Sequence, residues 1–309
     1  MEKKPLHAIG NIKVAVFKLD NDDFEKYYNQ RLIEQGCTVF PLSEFFYFDD
    51  SCQKNRLLIK KVLKLNLTKY DQIVVFDNYK IIPFIRLRMR ANARLILWNW
   101  NKQSIQIAQR ERLVSPFCDI WTFDSNDAEK YNWKLNNQFY IPITSPNINT
   151  AAHPIRAFCA CLDKGRYSRM KKIRKELMDN GIECDFTLVK DGTSNYDIQD
   201  SKWTREEGFP YSVFLQHTLD SDIIVDLVQP GQSGLTIRTL EALFYGKKII
   251  TNNLSVLMCP FYDEHNIFIM DNHNVGKLTD FLRYDFVEIK EENKIPYTYE
   301  NWINQFSSK

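Results

Sequence analysis

SDIIVDLVQPGQSGLTIRTLEALFYGKKIITNN, residues 221–253, sets the reading of this 309-residue chain. Asp222–Asp226 is a short apolar run bounded by acids, and Pro230, Gly231, Ser233 and Gly234 then break the pattern. Leu235, Leu240, Leu243 and Phe244 recur at helical spacing, with Thr236 placed as N-cap and Gly246 as the stop. Lys248–Thr251 begins the next strand. The segment is therefore one β-α-β unit whose glycine-bearing loop opens onto a helix N-terminus, where free backbone N–H groups favour an anion such as phosphate. Arg238 and Glu241 lie one turn apart on one helix face. A cation and a carboxylate beside a phosphate-sized site suit a nucleotide, with the acid turned to a ribose hydroxyl.

Outward from this block, strand and helix signals alternate in both directions, which implies parallel βαβ units. Strands are expected at 13–17, 38–41, 72–76, 95–100 and 120–123, and helices at 23–35, 52–67, 81–93, 104–114 and 126–131. Ile141–Pro154 carries three prolines with no helical period and reads as a linker. A fresh pattern follows, with strands at 156–161, 184–189 and 267–270 and helices at 167–180, 212–219, 275–286 and 297–306. The length suits two domains of about 150 residues each. The expected fold class is α/β, with two Rossmann-like domains facing across a cleft. They are an N-terminal acceptor-side domain over residues 1–148 and a C-terminal nucleotide-sugar-binding domain over 149–296. A helix over 297–309 would return to the N-terminal domain.

Composition narrows the classes. Hydrophobic residues are 44% and aromatics 14%, enough for full cores. No apolar run approaches the roughly 20 residues of a membrane helix, and MEKKPLHAIGN has no signal-peptide core. The seven cysteines are odd in number and scattered; Cys159-x-Cys161 shares one strand face and reads as buried free thiols. A cytoplasmic protein is expected.

The residues Gly231, Ser233, Gly234, Leu235 and Thr236, then Glu241 with Ala242, resemble the nucleotide-sugar site of GT-B glycosyltransferases, especially retaining ones. The stretches FDSNDAEKYN (123–132) and 231–253 resemble small bacterial enzymes of lipopolysaccharide-core and capsule polysaccharide biosynthesis. The family carries two glutamates with seven residues between them; Glu241 matches the second, which holds the ribose, and Ser233 stands at the first. The resemblance implies a glycosyltransferase, hexosyltransferase in type, using a nucleotide-sugar donor. Retention is slightly favoured over inversion.

Such transfer needs the leaving diphosphate stabilised by a metal ion or by fixed cations and helix N-termini. The nearest acidic cluster, Asp20-Asn21-Asp22-Asp23, precedes a helix and reads as capping. No cofactor and no divalent metal are therefore expected. The cations would be Lys164 and Arg166, in the loop after the first strand of the second domain, and Arg238. Arg238 and Asp77 are the catalytic candidates, Asp77 as a base at a strand end; Asp20 and Asp124 also end strands.

Charge is uneven. Between residues 51 and 110 thirteen Lys/Arg face two acids, Asp71 and Asp77, a net of +11; the +2 chain therefore carries −9 elsewhere. The band Lys54–Arg94 interleaves basic and apolar residues and suits an anionic membrane surface on the inner face, with peripheral attachment. The acceptor would be a bacterial surface glycan or lipid-linked saccharide. The alternative is a non-catalytic nucleotide- or polyanion-binding protein of the same fold; nucleic acid is disfavoured because no recognised nucleic-acid module is present.

Overall fold

The computed structural model of the protein describes residues 12–44, 60–144, 146, 154–229, 231–270 and 277–307. It divides into two units, Met1–Asn136 with Trp302–Lys309, and Asn137–Asn301. In unit 1 the strands are β1 (Val14–Lys18), β2 (Thr38–Pro41), β3 (Gln72–Phe76), β4 (Arg94–Asn99), β5 (Asp119–Thr122) and β6 (Lys134–Leu135). In unit 2 they are β7 (Arg156–Leu162), β8 (Glu183–Val189), β9 (Thr204–Arg205), β10 (Ile223–Asp226), β11 (Lys248–Thr251) and β12 (Ile267–Ile269).

All pairings are parallel, in the orders β2-β1-β3-β4-β5-β6 and β12-β11-β10-β7-β8-β9. The sequence reason lies in the central strands. Every residue of β1, β3 and β10 is buried, so these runs are covered on both faces rather than alternating. Each unit winds outward from its first strand, returns to it, and winds the other way. That reversal falls between β1 and β3 in unit 1 and between β7 and β10 in unit 2. In open α/β sheets the crevice at the carboxyl ends beside such a reversal is where ligands bind.

The unit 1 core joins Phe17, Val75 and Leu97 to Ile82 and Ile85 of the helix Ile82–Arg86. The residues from Trp302 onward complete this unit. Trp302 and Phe306 pack on Trp98 with ring centroids at 5.6 and 5.9 Å, and Arg94 Nη1 donates to the Phe306 carbonyl at 2.6 Å. In unit 2, Met170, Ile173 and Leu177 of the helix Tyr167–Asp179 cover Ala157, Cys159 and Cys161 of β7.

Several expected elements are corrected. The helix expected over 81–93 is a 3-10 turn, Tyr79–Ile81, followed by Ile82–Arg86 alone. The chain then turns, and the Arg86 guanidinium holds that turn by donating to the carbonyls of Arg90 (3.3 Å), Ala91 (2.9 Å) and Ala93 (3.5 Å). Of the helix expected over 52–67, residues 60–64 are helical and residues up to 59 lie outside the described ones. The helix expected over 275–286 is Leu278–Arg283, with 271–276 outside the described residues, and the last helix is Tyr299–Gln305. Within the expected linker, residues 145 and 147–153 also lie outside them.

Candidate functional site

Three loops meet at the carboxyl edge of unit 2. After β7 the chain passes through Asp163–Arg166, where Lys164 and Gly165 both hold positive φ, +43° and +79°. A lysine in the left-handed region carries a steric cost that glycine does not. The turn is held by Asp163, which is wholly buried. Asp163 accepts from Tyr167 N at 2.8 Å and from the Tyr196 hydroxyl at 2.7 Å. Burial pushes its pKa up, but hydrogen bonds from Ser194, Tyr196 and the Tyr167 and Arg166 amides outweigh that and hold it below the ordinary value. Lys164 donates its backbone N–H to Asp191 at 2.8 Å and leaves its side chain exposed.

Arg166 reaches across the reversal. Its Nε donates to the Asp163 carbonyl (3.1 Å) and its Nη1 to the Leu227 carbonyl (2.7 Å), so one guanidinium joins the loops after β7 and β10. The second loop runs from Leu227 to the helix Ile237–Tyr245. Gly231 is exposed at φ +78°, Ser233 is half-buried, and Gly234 and Leu235 are buried; Pro230 lies outside the described residues. Asn252 and Asn253, just past β11, pin this loop. Asn252 accepts from Val228 N at 2.8 Å and Asn253 Nδ2 donates to the Gly234 carbonyl at 3.1 Å.

Thr236 is the N-cap, accepting from Thr239 N at 3.2 Å, and Gly246 ends the helix in the left-handed region at φ +63°. Arg238, in the first turn, is half-buried over Phe214 (5.1 Å to the ring centroid), and its Nε donates to the Ala160 carbonyl at 3.0 Å. The Nη atoms of Arg238 have no hydrogen-bond partner among the described residues. The structure thus brings Lys164, Arg166, Gly231, Ser233, Gly234, Leu235, Thr236 and Arg238 to one edge of one sheet.

Glu241 differs from its expected setting. It is wholly buried; Oε1 accepts from the Tyr211 hydroxyl, and Oε2 has no hydrogen-bond partner among the described residues. Burial pushes its pKa up to about 7, against the pull of Tyr211 and Arg238. Glu241→Ala should therefore destabilise unit 2 by about 2–4 kcal/mol, through a cavity and the loss of the Tyr211–Glu241 hydrogen bond. Glu241→Gln should keep the melting temperature at pH 8 or raise it. Thermal melts of both variants check this; a fully stable alanine variant would refute the burial argument.

In unit 1, Asp77 sits at φ +49° just past β3. Its Oδ1 accepts from Trp100 N (2.8 Å), Asn101 N (3.4 Å) and Gln103 Nε2 (3.2 Å), and its Oδ2 from Asn101 Nδ2 (2.9 Å). Burial raises its pKa to about 6, with the Asn101 side chain, the Trp100 and Asn101 amides and Lys18 opposing. A carboxylate so engaged organises the 99–103 loop; acting as a base would first require a donor to leave. Asp124 caps the helix Ser125–Tyr131 through Asp127 N (3.1 Å), and Asp20 accepts from Ser43 N (3.1 Å). Lys18 ends β1 with 2% exposure, paired with Glu25 and 5.4 Å from the Trp100 ring centroid. Burial lowers its pKa to about 7.

No protein-family model matches the chain, and no curated protein matches its sequence. Among solved structures it is similar to sucrose-phosphate synthase from Thermosynechococcus elongatus. The TM-score is 0.53 and the identity 10%, over 96% of this chain and 98% of that one. It is also similar to the glycosyltransferase SnogD from Streptomyces nogalater, with TM-score 0.43 and 12% identity over 96% and 98% of the two chains. The likeness to the synthase concerns the fold: two Rossmann-like α/β units of the GT-B glycosyltransferase class.

Proposed function

We propose that this protein is a glycosyltransferase that binds a nucleotide-sugar donor at the β7/β10 reversal of unit 2. The observation that carries the reading is the pair Arg166 and Arg238. Arg166 is anchored by two backbone carbonyls and Arg238 by one at the carboxyl edge, beside a helix N-terminus capped by Thr236. An anchored guanidinium presents a fixed donor fork to phosphate oxygens. In transfer, the bond from the anomeric carbon to the diphosphate oxygen breaks, a bond to an acceptor hydroxyl oxygen forms, and the hydroxyl proton passes to the departing diphosphate. The negative charge that develops on the diphosphate meets Arg166, Arg238 and Lys164, so no divalent ion is required. Gly231, Ser233 and Gly234 line the loop that lets the donor approach the backbone. Ribose contact by Glu241 requires the side chains above it to part on binding.

The test is a thermal-shift screen against UDP, GDP, ADP, dTDP and CMP, with and without magnesium. A ligand that binds only the folded state raises the melting temperature by mass action. A shift with one nucleotide that does not depend on magnesium is expected; silence with all five would sink the reading.

The acceptor in this proposal is a bacterial surface glycan or its lipid-linked precursor, met at an anionic membrane. Supporting it are Leu63 and Leu87, 37% and 72% exposed, with the exposed Lys60, Lys64 and Lys69. Lys54 and Arg56 lie outside the described residues. Co-sedimentation should occur with anionic vesicles, weaken at high salt and fail with zwitterionic ones. Equal binding to both vesicle types would remove this part. Among the described residues no helix is long and apolar enough to cross a membrane. Ser233, at the position of the family's first glutamate, favours a second reading, a non-catalytic nucleotide-binding protein; nucleotide binding without any donor hydrolysis or transfer would select it.

A further inference from the structure

We infer that Asp226 is a positioning residue of the anion site, gripping two threonine hydroxyls and so fixing the helix N-terminus that meets the ligand. The inference rests on the donor-site reading above. Asp226 is the last residue of β10 and is 1% exposed. Its Oδ2 accepts from Thr236 Oγ1 at 2.6 Å and from Thr239 Oγ1 at 2.7 Å. With the Thr236 hydroxyl proton directed to Asp226, the Thr236 oxygen is left to accept from Thr239 N and cap the helix. One carboxylate oxygen thereby ties the end of a central strand to the first helical turn, across the loop that carries Gly231, Ser233 and Gly234. Arg238 lies in that same turn.

Electrostatics and geometry predict opposite signs. A buried carboxylate near an anion site repels the anion, so if Asp226 were only a bystander its neutralisation would tighten binding. If it positions the turn, neutralisation loosens the hydroxyl grip and binding weakens. Thr239 is wholly buried, so its hydroxyl acts on affinity through this grip and not through contact with the ligand.

The experiment compares Asp226→Asn, Thr239→Val and Thr239→Ser. The probe is whichever of UDP, GDP, ADP, dTDP or CMP gives the largest shift with the wild type. Calorimetry gives Kd, and an unliganded melt runs beside it. Asp226→Asn should weaken Kd about tenfold, the size expected for losing hydrogen bonds to a charged group. Thr239→Val should weaken it in the same sense, while Thr239→Ser, which keeps the hydroxyl, stays within about twofold. Unchanged or tighter binding in Asp226→Asn overturns the inference and leaves the donor site standing. Should Asp226→Asn not fold, the threonine pair decides, and equal affinities for valine and serine overturn it. A wild type that binds none of the five overturns the donor-site reading and takes this inference with it.

Discussion

Arg166→Ala should abolish most nucleotide binding while leaving unit 2 folded. The guanidinium of Arg166 is fixed on two sides by carbonyls of two different loops, so its approach to a phosphate carries little ordering cost. Removing it deletes a charged fork contact worth about 1.5–3 kcal/mol, or roughly ten- to a hundredfold in Kd. The structural loss is smaller. The Leu227 carbonyl loses one part-buried donor, at a cost of about 1 kcal/mol. Arg166→Lys should fall between, because lysine restores charge without the planar fork. The measurement is the nucleotide-induced thermal shift beside the unliganded melt. A full shift in the alanine variant would move the diphosphate away from the β7/β10 reversal.

Glu111→Gln should stabilise the protein strongly above pH 8 and hardly at all near pH 4.5. Glu111 is wholly buried in unit 1; its Oε2 accepts from Asn99 Nδ2 at 3.0 Å, while Glu111 Oε1 and Asn99 Oδ1 have no hydrogen-bond partners among the described residues. Burial raises its pKa from 4.5 to about 8, opposed by Asn99 and assisted by Asp77 and Asp127. The folded state therefore holds a proton that the unfolded chain releases between those values. Stability from this group is complete below pH 4.5 and is lost as pH rises to about 8. That loss is on the order of a few kcal/mol. Glutamine cannot ionise, and its amide can pair reciprocally with Asn99. At pH 8 its melting temperature should exceed the wild type's by roughly 5–10 °C. Lys18 acts with the opposite sign above pH 7, since burial lowers its pKa, but it is common to both proteins and cancels in the difference. Parallel pH profiles for wild type and variant would show that Glu111 does not titrate as described.

Local signals made much of this fold legible. Central strands that are apolar in all but one residue, Thr236 as a cap and Gly246 as a stop each act within a few residues of themselves, and short-range physics is what a sequence displays. What stayed hidden depends on partners far along the chain. The burial of Glu241 requires Tyr211 to lie over it, and the grip of Asp226 on Thr236 and Thr239 requires the loop to close. Asn252 and Asn253 read only as polar residues after a strand until Val228 and Gly234 are seen beside them. The basic band is the clearest case. Arg86, Arg88, Arg90 and Arg94 scan as a charged outer surface, yet each donates to a backbone carbonyl: Ala91, Leu65, Tyr70 and Phe306 respectively. Much of the apparent polyanion-seeking charge therefore serves the packing of unit 1 itself. The one signal that could have exposed this is the density of arginine over lysine between residues 86 and 94, since arginine is the better multiple donor.

Because unit 1 takes in Trp302–Lys309, it is interrupted in sequence, with all of unit 2 inserted between Asn136 and Trp302. In vectorial synthesis the two units are consequently completed at different points along the chain. Unit 2 has its whole complement of strands as one uninterrupted stretch. Unit 1 emerges first yet must wait, with Trp98 and Trp121 lacking the aromatic cover of Trp302 and Phe306, until more than half the chain has been added.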